Sequence, residues 1–117
     1  MRSLSLVLIG LVALEHVGFL VLEIFFWDHP IGRRAFRMTE AVSAASKALA
    51  ANQGLYNGFL AAGLAWGMFA DRFDVKVFFL ACVIVAGVFG AATASQRILF
   101  VQALPAVLAT VATWVAG

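Results

Sequence analysis

The sequence predicts an all-α protein, a four-transmembrane-helix bundle with a short interfacial helix between spans one and two. The chain is 64% hydrophobic and only 12% charged, whereas an average soluble domain is about 45–50% apolar and about 25% charged. Its mean hydropathy is +1.02. The apolar residues form four long runs separated by polar turns, at about 4–27, 50–70, 75–94 and 98–116. We therefore expect one integral membrane domain over residues 1–117.

The first span, 4–27, carries three ionisable side chains, Glu15, His16 and Glu23. About 20 apolar residues suffice to cross a bilayer, and a charged side chain at the centre of such a helix costs about 2.5–3.5 kcal/mol. At about 100° per residue, the three side chains fit one helix face. We predict that they form the reactive part of a buried polar site and exchange protons there.

Spacing also bears on whether this site holds a metal ion. The helix rises by about 10 Å from His16 to Glu23, which is too far for one metal ion with bonds of about 2.0–2.2 Å. The other histidine, His29, lies in the following loop. We therefore expect no metal at the site and no cofactor.

The segment after the first span is predicted to break the helix and lie at the lipid headgroups. Pro30 and Gly32 are typical helix breakers. Basic and apolar residues then alternate, as in a segment at a membrane surface. The basic residues are Arg33, Arg34 and Arg37. Thr39 is a candidate N-cap for a helix over residues 38–49, which can run straight into the second span.

The second span, 50–70, combines small and polar residues. Its glycines form two opposed stripes, Gly54 with Gly58 and Gly63 with Gly67, which let neighbouring helices approach closely on both sides. We predict a ligand-binding region from the polar residues that open spans two and four at the same end of the bundle. These residues are Asn52, Gln53, Tyr56, Asn57 and Gln102.

The third and fourth spans contribute packing features. Asp71 lies in a short turn that predicts a hairpin between spans two and three. In span three a stripe of small residues, Cys82, Ala86, Gly90 and Ala94, predicts a further helix contact. Pro105 predicts a kink in span four. The single cysteine excludes an internal disulfide, and we expect an inert buried thiol.

The chain also resembles a known family. The runs LVALEHVGFLVLEIFFW, ANQGLYNGFLAAGLAWG, CVIVAGVFGAAT and ILFVQALPAVLA are similar to those of the small four-span membrane proteins of domain-of-unknown-function family 1304. The resemblance implies a bacterial-type protein of the inner (cytoplasmic) membrane and implies no activity. Gly18 stands where the family pattern has a bulky residue. A weaker likeness is to small multidrug exporters, which carry a glutamate midway along span one, where Glu15 lies.

Two functions are compatible with these residues. The first is proton-coupled binding or transport of a small lipophilic or cationic molecule by a homodimer in contact with membrane lipid. The second is a membrane-embedded acid–base enzyme, of isomerase or hydrolase type and in one variant metal-assisted, acting on a lipophilic substrate. The net charge of +2 is too small, and the basic residues too dispersed, for nucleic-acid binding. The polar residues predict a site with one mouth, which favours the enzyme, whereas the weak charge bias of the loops and the short chain favour the carrier. We prefer the carrier by a narrow margin.

Overall fold

A computed structural model describes residues 1–117, and all of its regular elements are helical, which confirms the all-α prediction. The elements are α1 (Arg2–Phe25), α2 (Pro30–Ala35), α3 (Glu40–Phe69), α4 (Phe73–Thr93), a π-helical segment (Leu99–Ala103) and α5 (Leu104–Ala116).

Three stretches of helix are long and apolar enough to cross a membrane, namely Arg2–Phe25, Phe73–Thr93 and Leu99–Ala116. The fourth predicted span lies within α3, which is 30 residues long. The amides of Asn52, Gln53 and Asn57 lower the hydropathy of that helix. By length and composition, three helical stretches rather than four therefore qualify as candidate membrane spans.

A short helix does lie between the first two long helices, but at Pro30–Ala35 rather than over residues 38–49. His29 is its N-cap, with Nδ1 accepting a hydrogen bond from the Ile31 amide at 3.1 Å. Pro30 begins this helix instead of breaking one, because the first helical position needs no amide hydrogen. The break predicted after span one is therefore confirmed, but Pro30 and Gly32 lie within the next helix, α2, and do not themselves interrupt a helix.

Thr39 is confirmed as an N-cap, because its Oγ1 accepts a hydrogen bond from the Val42 amide at 3.2 Å. The helix that it starts is α3 itself, so residues 40–49 are the first turns of the long helix and not a separate element.

Two residues in the left-handed region end α2 and α3. Arg37 has φ 54° and Asp71 has φ 51°. After Asp71 the Arg72 amide donates to the Gly67 carbonyl at 3.0 Å, and after Arg37 the Met38 amide donates to the Arg33 carbonyl at 2.8 Å. These bonds satisfy carbonyl groups that a helix end leaves unpaired.

The chain forms two compact units, Met1–Leu14 with Leu60–Gly117, and Glu15–Phe59. The first unit has a closely packed apolar core in which several small residues lie. Its buried members are Ile9, Val12, Leu64, Leu80, Val83, Ala106 and Ala109. A Cβ built on Gly63 would lie 2.3 Å from the Phe79 ring, so glycine is needed for this α3–α4 contact.

The packed face of α4 differs from the predicted one. Gly87, not Ala86, meets the π-helical segment, and a Cβ on Gly87 would lie 2.9 Å from the Ala103 amide nitrogen. Cys82 and Ala86 instead line an outward apolar groove, and the thiol is partly exposed rather than buried. The stripe prediction is therefore wrong for these two residues, because the close contact follows Val83 and Gly87.

The helix type changes just ahead of Pro105. The π-helical segment ends two residues before Pro105, which lies in the first turn of α5. A proline ring clashes with the carbonyl four residues earlier, here that of Val101. The π-helical segment, which is wider than an α-helix, includes Val101. The kink itself stays a prediction.

Candidate functional site

The clearest polar contact of the second unit joins α1 to α3. Asn57 Nδ2 donates a hydrogen bond to Glu23 Oε1 at 2.5 Å, and both side chains are half-buried. An amide that donates to a half-buried carboxylate supplies a partner that lipid cannot. The structure thus brings together two of the predicted site residues.

Glycine makes this contact possible. A Cβ on Gly54 would lie 2.8 Å from Ile24 Cγ1 and 3.1 Å from Glu23 Cβ, and one on Gly58 would lie 2.7 Å from Leu20 Cδ1. A side chain at Gly54 would push α1 away from α3, whereas a methyl group at Gly58 would displace only the end of the Leu20 side chain. The first glycine stripe thus allows the close approach of the two helices, most strictly at Gly54. The Asn57 amide reaches Glu23 because it lies one turn beyond Gly54 on α3.

His16 is fully buried within α1. Its ring lies edge-on to the Phe19 ring, with 5.3 Å between centroids and 75° between planes. The sequence predicted a buried imidazole, and burial at this position is confirmed. A role in proton exchange remains a prediction.

Glu15 differs from Glu23 in having a buried carboxylate oxygen without a hydrogen-bond partner. Its side chain is half-buried, and its Oε1 atom is shielded from the surroundings without accepting a hydrogen bond. Buried carboxylate oxygens are normally hydrogen-bonded, and an exception calls for an explanation. Glu15 is therefore the one acidic side chain in the structure with a buried acceptor atom left unsatisfied.

Three predicted ligand residues of α3 lie on its outer surface. Asn52, Gln53 and Tyr56 are exposed, and the Tyr56 ring packs edge-on against Phe59 at 5.8 Å. Gln102 lies in the other compact unit, half-buried on the π-helical segment. Within the second unit the structure therefore joins only Glu23 and Asn57 directly.

The loop between α1 and α3 holds a network that the sequence pattern did not predict. Asp28 Oδ1 accepts hydrogen bonds from Arg33 at 2.9 Å and from the buried Ser43 hydroxyl at 2.8 Å. Trp27 Nε1 donates to Ser46 Oγ at 2.9 Å. Arg33 is thus engaged by a carboxylate of its own chain, and Arg34 and Arg37 are the exposed cations of this segment.

A second polar cluster, in the first unit, was also missed. Asp71 accepts from Lys76 Nζ at 3.0 Å and pairs with Arg2 at 3.0 Å. The Lys76 and Arg2 cations hold the pKa of the Asp71 carboxyl below its ordinary range, with the Lys76 hydrogen bond the larger cause. The Asp71–Lys76 pair spans the turn before α4 and falls outside the helical spacing of three or four residues, and the approach of Arg2 depends on tertiary structure.

No group of three or more histidine, cysteine, aspartate or glutamate side chains lies close enough together to hold a metal ion. The metal-assisted variant of the enzyme hypothesis therefore lacks a ligand set within this chain.

Comparison with known proteins adds a family and no activity. Residues 10–114 match the family described as "Protein of unknown function (DUF1304)". The chain is 29% identical over 118 residues to the "Uncharacterized protein YpaA" of Lactococcus lactis subsp. lactis (strain IL1403), covering 97% of this chain and 99% of that protein. No solved structure matches.

Proposed function

The chain belongs to the DUF1304 family, and we propose that it is a proton-coupled binding protein or carrier for a small lipophilic cation in the inner membrane. Glu15 is the central group of this proposal. It holds a proton in the resting state and exchanges it for the cation when the ligand binds.

The observation that carries the proposal is the buried, unpartnered Oε1 atom of Glu15. An ionised carboxylate in an apolar environment is costly unless it is paired. The structure offers this oxygen no protein donor, so a proton or an incoming cation must satisfy it. The exchange of one for the other couples ligand binding to proton release.

Glu23 has a different role because Asn57 already engages it. The amide holds the Glu23 carboxyl in place and fixes α1 against α3 in the second unit. We propose that Glu23 sets the negative character of the site, while His16, next to Glu15 in the chain, accepts or returns its proton. Both roles follow from residue type and burial.

We propose four membrane spans, the second formed by α3. At about 1.5 Å per residue its 30 residues extend about 45 Å, which exceeds a hydrocarbon core of about 30 Å. Its outer surface carries large apolar side chains suited to lipid contact. They include Leu49, Leu55, Phe59, Trp66 and Phe69. The exposed Arg34 and Arg37 on and just after α2 suit an interfacial position beside anionic headgroups.

We also propose that two copies associate through α3. Asn52 and Gln53 are exposed on this helix, and polar amides facing lipid are unfavourable. A second copy would cover them and bring these predicted ligand residues into an enclosed site. A Gln53→Cys variant in a Cys82→Ala background tests this arrangement by oxidative cross-linking in membranes, and a purely monomeric product contradicts it.

The enzyme alternative has less support. It assigns Asn57 or Gln53 to hold an oxygen of the substrate, but Asn57 Nδ2 donates to Glu23 and Gln53 is exposed. The carrier needs only the unsatisfied carboxyl of Glu15 and is therefore preferred.

Equilibrium binding of tetraphenylphosphonium to the purified chain in an uncharged detergent tests the proposal. Glu15→Gln keeps the shape of the side chain and removes its charge, so we expect at least about a tenfold loss of affinity, or 1.4 kcal/mol. Glu40→Gln is the matched control, because Glu40 is an exposed carboxylate of α3. Equal affinity of the wild type and the Glu15→Gln variant contradicts the role of Glu15.

A further inference from the structure

The first unit contains a polar cavity of about 170 Å³ that is separate from the residues of the proposed function. Its polar lining comes from four places in the chain, the start of α1, the turn after α3, the start of α4 and the end of α5. The side chains are Arg2, Ser5, Asp71, Lys76 and Thr113. This volume has room for several water molecules or one small polar group.

Lys76 is the unusual member of this lining. The residue is only 7% exposed, and its one side-chain hydrogen bond goes from Nζ to Asp71 Oδ1 at 3.0 Å. An ammonium group has three N–H donors, so two of them remain for another acceptor. A buried ammonium normally has its donors paired, so these two donors face an acceptor from outside the chain, either water or a ligand, in the cavity.

The charged side chains around the cavity are two cations and one carboxylate. Arg2 Nη1 pairs with Asp71 Oδ2 at 3.0 Å, while Lys76 uses the other oxygen. Two cations thus share one carboxylate, and their side chains leave one positive charge in excess. Gly117 also lines the cavity, and an α-carboxylate on it would offset this charge. It forms no ion pair with either cation, so the case for an anion rests on the remaining donors of Lys76.

The hydroxyl groups of Ser5 and Thr113 also line the cavity and form a hydrogen bond with each other. Thr113 Oγ1 donates to the Ala109 carbonyl at 2.7 Å, so in the 2.9 Å contact between Ser5 and Thr113 the Ser5 hydroxyl is the donor. Ser5 Oγ therefore keeps lone pairs that can accept from a ligand. A group with anionic oxygens beside a hydroxyl complements the cations and Ser5 together.

We propose that this cavity binds a phosphate group, through Lys76 and Arg2 to its anionic oxygens and through Ser5 to a neighbouring hydroxyl. Monohydrogen phosphate and the phosphoglycerol headgroup of a membrane lipid share this chemistry. The cavity lies at the ends of the candidate spans, where lipid phosphates are found. The site does not depend on Glu15 or on the proposed carrier function.

The test uses the full chain in an uncharged detergent and two probes. One is sodium phosphate, compared with sodium chloride at equal ionic strength. The other is phosphatidylglycerol in mixed micelles, compared with phosphatidylcholine, whose headgroup carries no hydroxyl. A ligand that binds the folded protein raises the midpoint of thermal unfolding, and we expect a rise of about 3–6 °C from at least one probe.

Three variants assign that rise to the cavity. Lys76→Met should remove most of it, and Arg2→Gln should reduce it by roughly half. Lys47→Met is the matched control, because Lys47 is an exposed lysine of α3 that does not line the cavity. If Lys76→Met does not fold, Arg2→Gln decides, because the Arg2 side chain is 67% exposed and can be replaced without disturbing the core.

A response to sodium phosphate that is lost in the cavity variants identifies a free phosphate, and a response to phosphatidylglycerol alone identifies a lipid headgroup. Equal responses of the wild type and all three variants would mean a general charge effect and would overturn the proposal. The lack of any response to both probes would overturn it as well.

Discussion

At the scale of single residues, Asn57 is distinguished from the other amides of α3 by its contact with Glu23. Replacing Asn57 by leucine removes the donor and leaves a half-buried carboxylate unpaired. We expect Asn57→Leu to lower the free energy of unfolding by about 1–3 kcal/mol. Thermal unfolding in detergent measures this, with Asn52→Leu as the matched control because Asn52 is exposed. Equal stability of the two variants would show that the contact contributes nothing.

The candidate residues of α1 could be predicted from the sequence, whereas their partners could not. Glu15, His16 and Glu23 stand out because charged and imidazole groups are rare in apolar helices. Asn52, Gln53 and Asn57 have similar chemistry and lie within six positions, so composition cannot tell which amide points inward. The position of Gly54 against Ile24 and Glu23 decides it, and that contact is tertiary.

At the scale of helices, the contact between α4 and the π-helical segment is closest at Gly87. A methyl group there would press on the backbone of Ala103, which cannot move without shifting the whole segment. We expect Gly87→Ala to cost about 1–3 kcal/mol of stability through overpacking.

The matched control for this change is Gly58→Ala, because the nearest atom to its new methyl group is the end of the flexible Leu20 side chain. Thermal unfolding of the two variants compares them. A smaller loss in Gly87→Ala than in Gly58→Ala would contradict the contact at Ala103.

Helix boundaries were predictable where local chemistry sets them. The Thr39 cap needs only its own hydroxyl and the next turn. The break after span one lies at residues 26–29, just ahead of the proline and glycine that predict it. The extent of α2 was missed, because Pro30 reads equally as a helix breaker and as a first helical residue. The π-helical segment was missed as well, because relieving the Pro105 clash depends on how Ala103 packs against Gly87.

At the scale of the whole molecule, composition predicted the class of protein and the outer surface agrees with it. Large apolar side chains are exposed along α1, α3, α4 and α5, as expected where lipid replaces water. Composition could not predict which ends of the helices meet. The cluster of Arg2, Asp71 and Lys76 joins residues about 70 positions apart in the chain, and only the folded first unit brings them together.

That cluster makes stability depend on pH. The pKa of Asp71 is lower in the folded chain than in the unfolded chain because of Lys76 and Arg2. The contribution of Asp71 is therefore complete above the ordinary aspartate pKa of about 4 and is lost as the pH falls through the lower folded value.

We expect the midpoint of thermal unfolding of the wild type to fall more between pH 5 and pH 3 than that of Asp71→Asn. Glu40→Gln, which changes a carboxylate outside the cluster, should behave as the wild type does. A parallel fall in the wild type and the Asp71→Asn variant would show that the ion pairs do not stabilise the fold.

The central claim is that Glu15 exchanges a proton for a cationic ligand, and proton release on ligand binding tests it most directly. Tetraphenylphosphonium is added to the purified chain in lightly buffered detergent at pH 6, and a pH indicator records the protons released. We predict about one proton per bound cation for the wild type and for Glu40→Gln. At a ligand concentration that saturates Glu15→Gln, we predict no release. The same release from Glu15→Gln as from the wild type would contradict the mechanism.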